Sequence, residues 1–235
     1  MITGIILQVT QAVNETAEVA TQIGVAEYEK LSLWKMMLKG GWIMIPLAIM
    51  SILAIYLFIE RFLTIKKASK EESNFMNNIR DFVHNGRLDS ALALCKNTES
   101  PLARMIEKGL LRIGKPLSDI NTAIETVGRI EVSRLEKGIA MIATIAGAAP
   151  MIGFLGTVTG MVRAFYDMSK AGNNIDIQLL SSGIYEAMVT TIAGLIVGIT
   201  AYICYNILVA RIENVVFQLE ARATEFMDLL NEPAN

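Results

Sequence analysis

Residues 187–210 read AMVTTIAGLIVGITAYICYNILVA, 24 residues without a charged side chain between Glu186 and Arg211. A bilayer core of about 30 Å needs roughly 20 apolar residues at about 1.5 Å of helical rise each, so this stretch is long enough to cross. Two further windows share its character: Gly40 to Ile59, between Lys39 and Glu60, and Gly138 to Val162, between Lys137 and Arg163. The chain therefore reads as an all-α integral membrane protein with three transmembrane helices. Composition agrees, since 53% of the 235 residues are hydrophobic and only 19% charged, with mean hydropathy +0.44. A soluble domain carries nearer a quarter charged residues.

The same numbers exclude other classes. With 21 basic and 23 acidic residues the formal charge is -2, and no basic patch offers a surface to nucleic acid. Cys95 and Cys204 stand far apart without a CxxC or Cys/His pattern, and His84 is the only histidine. Neither a metal site nor a disulfide framework follows, and no cofactor is implied. His84, beside Asn85 and Gly86, reads as a solvated turn residue. An intramembrane protease would need paired aspartates or a Ser with a His inside the spans; Asp167, Asp176 and His84 all fall outside them.

Residues 66–137 hold 13 basic and 10 acidic side chains, whereas the connection from Arg163 to Glu186 carries only Arg163 and Lys170 as bases. Positive-inside bias places the large loop in the cytoplasm, which with three spans puts the N-terminus in the periplasm and the C-terminus in the cytoplasm. Cys95 is then a reduced cytosolic thiol.

The resulting organisation begins with an N-terminal segment, 1–39, on the periplasmic side. Ile5, Ile6, Val9 and Val13 recur there at helical spacing, and an interfacial amphipathic helix and a frayed tail are equally compatible with the pattern. The apolar run is short and no basic residue precedes it, so it is not read as a signal peptide. The first transmembrane helix occupies 40–65, a cytoplasmic helical domain 66–137, and the second transmembrane helix 138–162. A short periplasmic connection with the start of the third helix fills 163–186; the third transmembrane helix is 187–210, and a cytoplasmic C-terminal helix is 211–235.

Asn85-Gly86, Ser100-Pro101 and Gly114-Lys115-Pro116 punctuate the loop into short helices. Pro46 and Pro150 are expected to mark kinks. Ile120, Ile124, Val127, Ile130 and Leu135 keep an apolar stripe running into the second span, which predicts one long helix extending far into the cytoplasm. Beyond Arg211, the stripe Ile212, Val215, Val216, Leu219, Ala223, Phe226, Leu229 and Leu230 predicts the same for the third.

Within the second span Gly153, Gly156 and Gly160 share a face below Pro150, and in the third Gly194 and Gly198 form a GxxxG pair. Small residues at these spacings let helices approach closely where lipid supplies no hydrophobic drive for association. Glu186 stands immediately before the charge-free window, yet apolar character starts earlier, at Ile177, Leu179, Leu180 and Ile184. Two readings stay open: a carboxylate carried into the bilayer region, where it must face protein or water, or an ordinary helix-end carboxylate. Thr157, Thr190 and Thr191 either supply hydroxyls to a wet path or bond back to their own helix. Glu186 and Thr190, four residues apart on one face, form a possible proton-handling pair.

Two segments resemble the ExbB/TolQ/MotA family of inner-membrane motor subunits: 149–161, APMIGFLGTVTGM, and 183–195, GIYEAMVTTIAGL. Ser100-Pro101-Leu102-Ala103-Arg104 is a weaker third match, and the order of spans agrees from about Trp34 to Leu230. The resemblance implies five subunits around a pair of single-span partners of the ExbD/TolR type, with the second and third spans lining the pore. Carried over residue by residue, Thr157 matches the threonine of the family's GTV segment, Glu186 its pore glutamate, and Thr191 the threonine five positions later. Thr190 adds a hydroxyl to the ExbB-like pattern, and proton and sodium both stay open as the driving ion. Three spans, rather than the four of MotA-like stators, point to the ExbB or TolQ branch. The implied role is a proton-motive-force-driven subunit in the inner membrane of a Gram-negative bacterium, without enzymatic activity. Through a TonB-like protein it would energise outer-membrane transport; a TolQ-like envelope role or a passive scaffold are the alternatives.

Overall fold

The computed structural model describes residues 40–69, 74–170 and 177–231. The N-terminal segment up to residue 39, and residues 171–176 of the connection between the second and third spans, lie outside the described residues. Among these, seven helices and no strands are present: α1 (Met44–Ala68), α2 (Phe75–His84), α3 (Leu88–Asn97), α4 (Pro101–Leu110), α5 (Leu117–Glu136), α6 (Ile139–Lys170) and α7 (Ile177–Asn231). Three of these rods are long and apolar enough to cross a membrane.

The spans expose what a soluble protein would bury. Along α1, Ile45, Ile49, Ile52, Tyr56, Ile59 and Leu63 form an exposed stripe, with Ile52 70% accessible. Met151, Phe154, Leu155 and Val162 do the same on α6, and Met188, Ile192, Ile196, Ile199 and Tyr202 on α7. Such continuous apolar surface is tolerable only against lipid or other protein. The opposite faces pack together, α6 against α7 most intimately, with α1 lying across both.

The start of α1 differs from the expectation. Gly40–Ile43 form a turn, with Gly41 at φ 67°, and the helix begins at Met44. Pro46 therefore sits in the first turn, where its missing N–H would have had no partner anyway, and it marks no kink. Pro150 does lie inside α6, its ring filling the space beside Gly198 where a side chain would otherwise stand.

The second span does not continue as one helix. Lys137 and Gly138 separate α5 from α6, with Gly138 at φ 84° and Lys137 extended at ψ 127°. Glycine adopts this left-handed geometry without a Cβ penalty, and the Arg61 side chain packs beside it. The α5 stripe holds at Ile120, Ile124 and Leu135, which are buried, and departs at one position: Ile130 is 48% exposed whereas Glu131 is buried. The reason is an ion triad, since Glu131 accepts from Arg104 at 2.6 Å and from Arg134 at 2.7 Å. Two guanidinium groups make burial of one carboxylate tolerable. By contrast α7 runs unbroken for 55 residues, and Ile212, Val215, Leu219, Phe226 and Leu229 are all buried.

The extramembrane helices close around this end of α7. Ser100 caps α4 by accepting from Ala103 N–H at 3.1 Å, and Pro101 follows it. Gly86 and Gly114 take positive φ at the two remaining turns. Ile79, Ala91, Ile106 and Ile124 are buried with Phe226. Cys95 is buried in the same core, and burial, aided by the Glu107 charge, pushes its thiol up to about 12. Only the thiolate is nucleophilic. Alkylation of Cys95 at pH 8 should thus run about a thousandfold slower in the folded protein than after denaturation; mass spectrometry of iodoacetamide-treated samples would show it.

Candidate ion-pathway site

The meeting of α6 and α7 follows from missing side chains. A methyl built on Gly194 would stand 2.6 Å from the Ala149 carbonyl oxygen and 2.9 Å from Cα of Gly153, so two backbones touch here. Gly160 packs in the same way on Ala187 and the Gly183 carbonyl, and Gly156 on the Thr190 side chain. Small residues on both helices give the close approach that membrane packing requires.

This contact fixes the threonines. The Thr191 hydroxyl crosses to the other helix, donating to the Gly153 carbonyl at 3.1 Å. Thr190, 1% exposed, donates within its own helix to Ala187 at 2.8 Å, with Gly153 O a further 3.5 Å neighbour. Thr157 turns back to the Phe154 carbonyl at 2.6 Å. Each hydroxyl proton is thus committed, leaving the oxygens as acceptors.

Glu186 lies within α7, nine residues after Ile177, or about 14 Å along the rod. Its half-buried side chain lines a cavity of about 90 Å³ together with Gly40, Trp42, Gly156, Thr159, Arg163 and Thr190. That volume holds a few waters. The wall carries the acceptor oxygens of Glu186, Thr190 and Thr159, whose hydroxyl donates to Leu155 at 2.9 Å, together with the donor guanidinium of Arg163, so water there finds partners of both kinds. Among the described residues no group of three or more His, Cys, Asp or Glu side chains is placed to hold a metal ion.

Of the residues singled out from sequence, Glu186 and Thr190 share this cavity with Gly156 and Gly160, while Thr157 and Thr191 are not part of its lining. Thr159, Arg163 and the Gly40–Trp42 turn were not anticipated there. Thr159 and Arg163 are four apart on α6, on either side of Gly160, so helical spacing could have found them.

Three apolar rods, packed through bare backbone, with a carboxylate and a guanidinium sharing one small cavity beside them, define a multi-pass helical membrane protein. Residues 97–221 match the sequence model of the MotA/TolQ/ExbB proton channel family, and the chain belongs to that family. It is ExbB-like. An ExbB-like protein of Synechocystis is 30% identical over 176 residues, 74% of this chain and 69% of the relative. The biopolymer transport protein ExbB of Neisseria meningitidis is 26% identical over 209 residues, covering 81% and 91%. The Tol-Pal system protein TolQ of Haemophilus influenzae is 34% identical over 104 residues, covering 44% and 45%. These are channel and transport subunits rather than enzymes.

Proposed function

We propose that this chain is the ExbB-like subunit of a proton-motive-force-driven motor that energises TonB-dependent transport across an outer membrane. Five copies surround a pair of ExbD/TolR-like single-span partners, with α6 and α7 turned toward the pore. Glu186 is the carboxylate of the ion pathway, and Thr157, Thr190 and Thr191 supply its hydroxyl oxygens. Charge distribution orients the N-terminus to the periplasm and the extramembrane bundle to the cytoplasm. The observation that carries this reading is a half-buried carboxylate between apolar helices, lining a cavity for a few waters with Thr159, Thr190 and Arg163. An acid in such a place is expensive unless it handles charge. A unit charge crossing 100 mV releases about 2.3 kcal/mol, which successive protonations of the partner can convert into stepwise rotation within the ring.

The test is Glu186→Gln in the assembled complex. It should abolish energised uptake and proton flux into liposomes while assembly is retained; normal uptake would end the proposal. Flux indifferent to both Glu186→Gln and Thr157→Val would favour a passive scaffold. The similarity to TolQ supports a second reading, envelope constriction in a Tol-Pal system. Complementation separates the two, since only the first restores growth on chelated iron. Repeating the flux assay with sodium in place of a proton gradient identifies the ion.

A further inference from the structure

The turn ahead of α1 closes the cavity that contains Glu186. Gly40 and Trp42 belong to its wall, and between them Gly41 takes φ 67°. A methyl placed on Gly41 would fall on Oε1 of Glu186. On the other side of the turn, a methyl on Gly40 would stand 2.7 Å from Sδ of Met44 and 3.4 Å from Cγ1 of Val189. The turn is also anchored from behind, because Ile43, Met44 and Leu47 are buried against Ala149 of α6, with Ala193 and Val197 of α7 alongside. It is therefore a fixed wall, and the carboxylate rests on the bare Cα of Gly41.

We propose that Gly41 is a positioning residue for Glu186: the absent side chain leaves the space in which the carboxylate sits, facing the Gly156–Gly160 surface of α6. This rests on the reading of Glu186 as the ion-pathway carboxylate. Arg163, from α6, is the only charged side chain among the described residues that shares the cavity with it; the turn and α1 contribute none. Adding a methyl at position 41 forces the carboxylate away from its place or pushes the turn outward. Either movement alters the solvation of Glu186 and its distance from Arg163, and both quantities set where a carboxylate titrates.

Gly86 supplies the control. It too has φ 67°, and nothing lies within 4 Å of an added methyl, so Gly86→Ala imposes the same backbone penalty far from the cavity. The full complex in liposomes is titrated by infrared difference spectroscopy, with Glu186→Gln identifying the carboxyl band. Gly41→Ala should move the Glu186 midpoint, because its surroundings change, and Gly86→Ala should leave it in place. An unmoved midpoint in Gly41→Ala, or an equal shift in Gly86→Ala, overturns the proposal.

Proton flux gives a second readout through Glu186→Asp, whose acid is one methylene shorter and clears the added methyl. Gly41→Ala should lower flux about tenfold beside Glu186 and change it little in the Glu186→Asp background, a coupling of the size contacting residues show and independent sites do not. Equal losses in both backgrounds would refute the contact. If Gly41→Ala prevents assembly, the same pairing decides: assembly regained with Glu186→Asp supports the contact, and assembly still absent overturns it. Flux unchanged by Glu186→Gln would instead refute the underlying reading of Glu186, and the infrared result for Gly41 would stand apart from it.

Discussion

Leucine in place of Gly194 will part α6 from α7 and leave little folded complex. The three nearest atoms to a Cβ at this position are Ala149 O, Gly153 Cα and Gly153 N, at 2.6, 2.9 and 3.1 Å. All are main-chain atoms inside a helix, which cannot swing aside as a side chain does. Overpacking usually costs about 1–3 kcal/mol where neighbours can adjust, so alanine should fall within that range and leucine at or beyond its upper end. Gly147→Ala tests the reasoning with the opposite sign. Gly147 lies in the facing helix α6 with nothing within 4 Å of an added methyl, and Gly to Ala in a helix interior gains up to about 1 kcal/mol. Thermal unfolding of the purified complex in micelles should therefore rank Gly147→Ala at or above the parent, then Gly194→Ala, then Gly194→Leu. Equal behaviour of the two alanine variants would mean that α6 and α7 do not touch through backbone. The loss reaches the site directly, since Gly156, Gly160 and Thr190 wall the cavity only while the two helices are closed.

The spans and their contact face were legible because both depend on residue type alone. Absence of charge over 20 or more positions fixes membrane-crossing rods, and glycines at 153, 156, 160, 194 and 198 fix which faces meet. Short-range turn chemistry was legible for the same reason at Ser100-Pro101, Asn85-Gly86 and Gly114. What escaped depends on partners distant in sequence. Glu131 interrupts an apolar stripe, and only the arrival of Arg104 makes its burial acceptable, so periodicity placed Ile130 inward instead. The break at Lys137-Gly138 was hidden because apolar residues continue on both sides of it, although a Lys-Gly step after a helical stripe is itself a stop signal. Gly40-Gly41 was counted into the first span for lack of charge; a double glycine also signals a turn. The directions of the three threonine hydroxyls required coordinates, since a hydroxyl chooses among carbonyls that periodicity does not distinguish.

Truncating Phe226 to alanine should destabilise the fold by about 3–5 kcal/mol, the range for removing a buried aromatic ring. The ring has no exposed surface, and its fit depends on Gly109 of α4: a methyl there would stand 2.7 Å from Cε1 of Phe226 and 2.9 Å from Cδ1 of Ile124. Phe226 thus joins α7 to α4 beside α5. Phe217→Ala is the matched comparison, the same change on the same helix at a side chain 73% exposed, and it should alter stability by no more than about 0.5 kcal/mol. Glu186 and Phe226 are forty residues apart on one unbroken helix, about 60 Å of rod. The bundle that clamps Phe226 therefore restrains the rotation of α7 about its axis, and with it the direction in which the carboxylate of Glu186 points. Thermal unfolding and proteolysis at the Asn85-Gly86 and Gly114 turns measure the clamp, with Phe226→Ala cut faster than the parent and Phe217→Ala unchanged. If Phe226→Ala accelerates cleavage and also broadens the Glu186 carboxyl band, the distant end of α7 helps to set the geometry of the site; a sharper cut with an unaltered band would confine Phe226 to holding the bundle together.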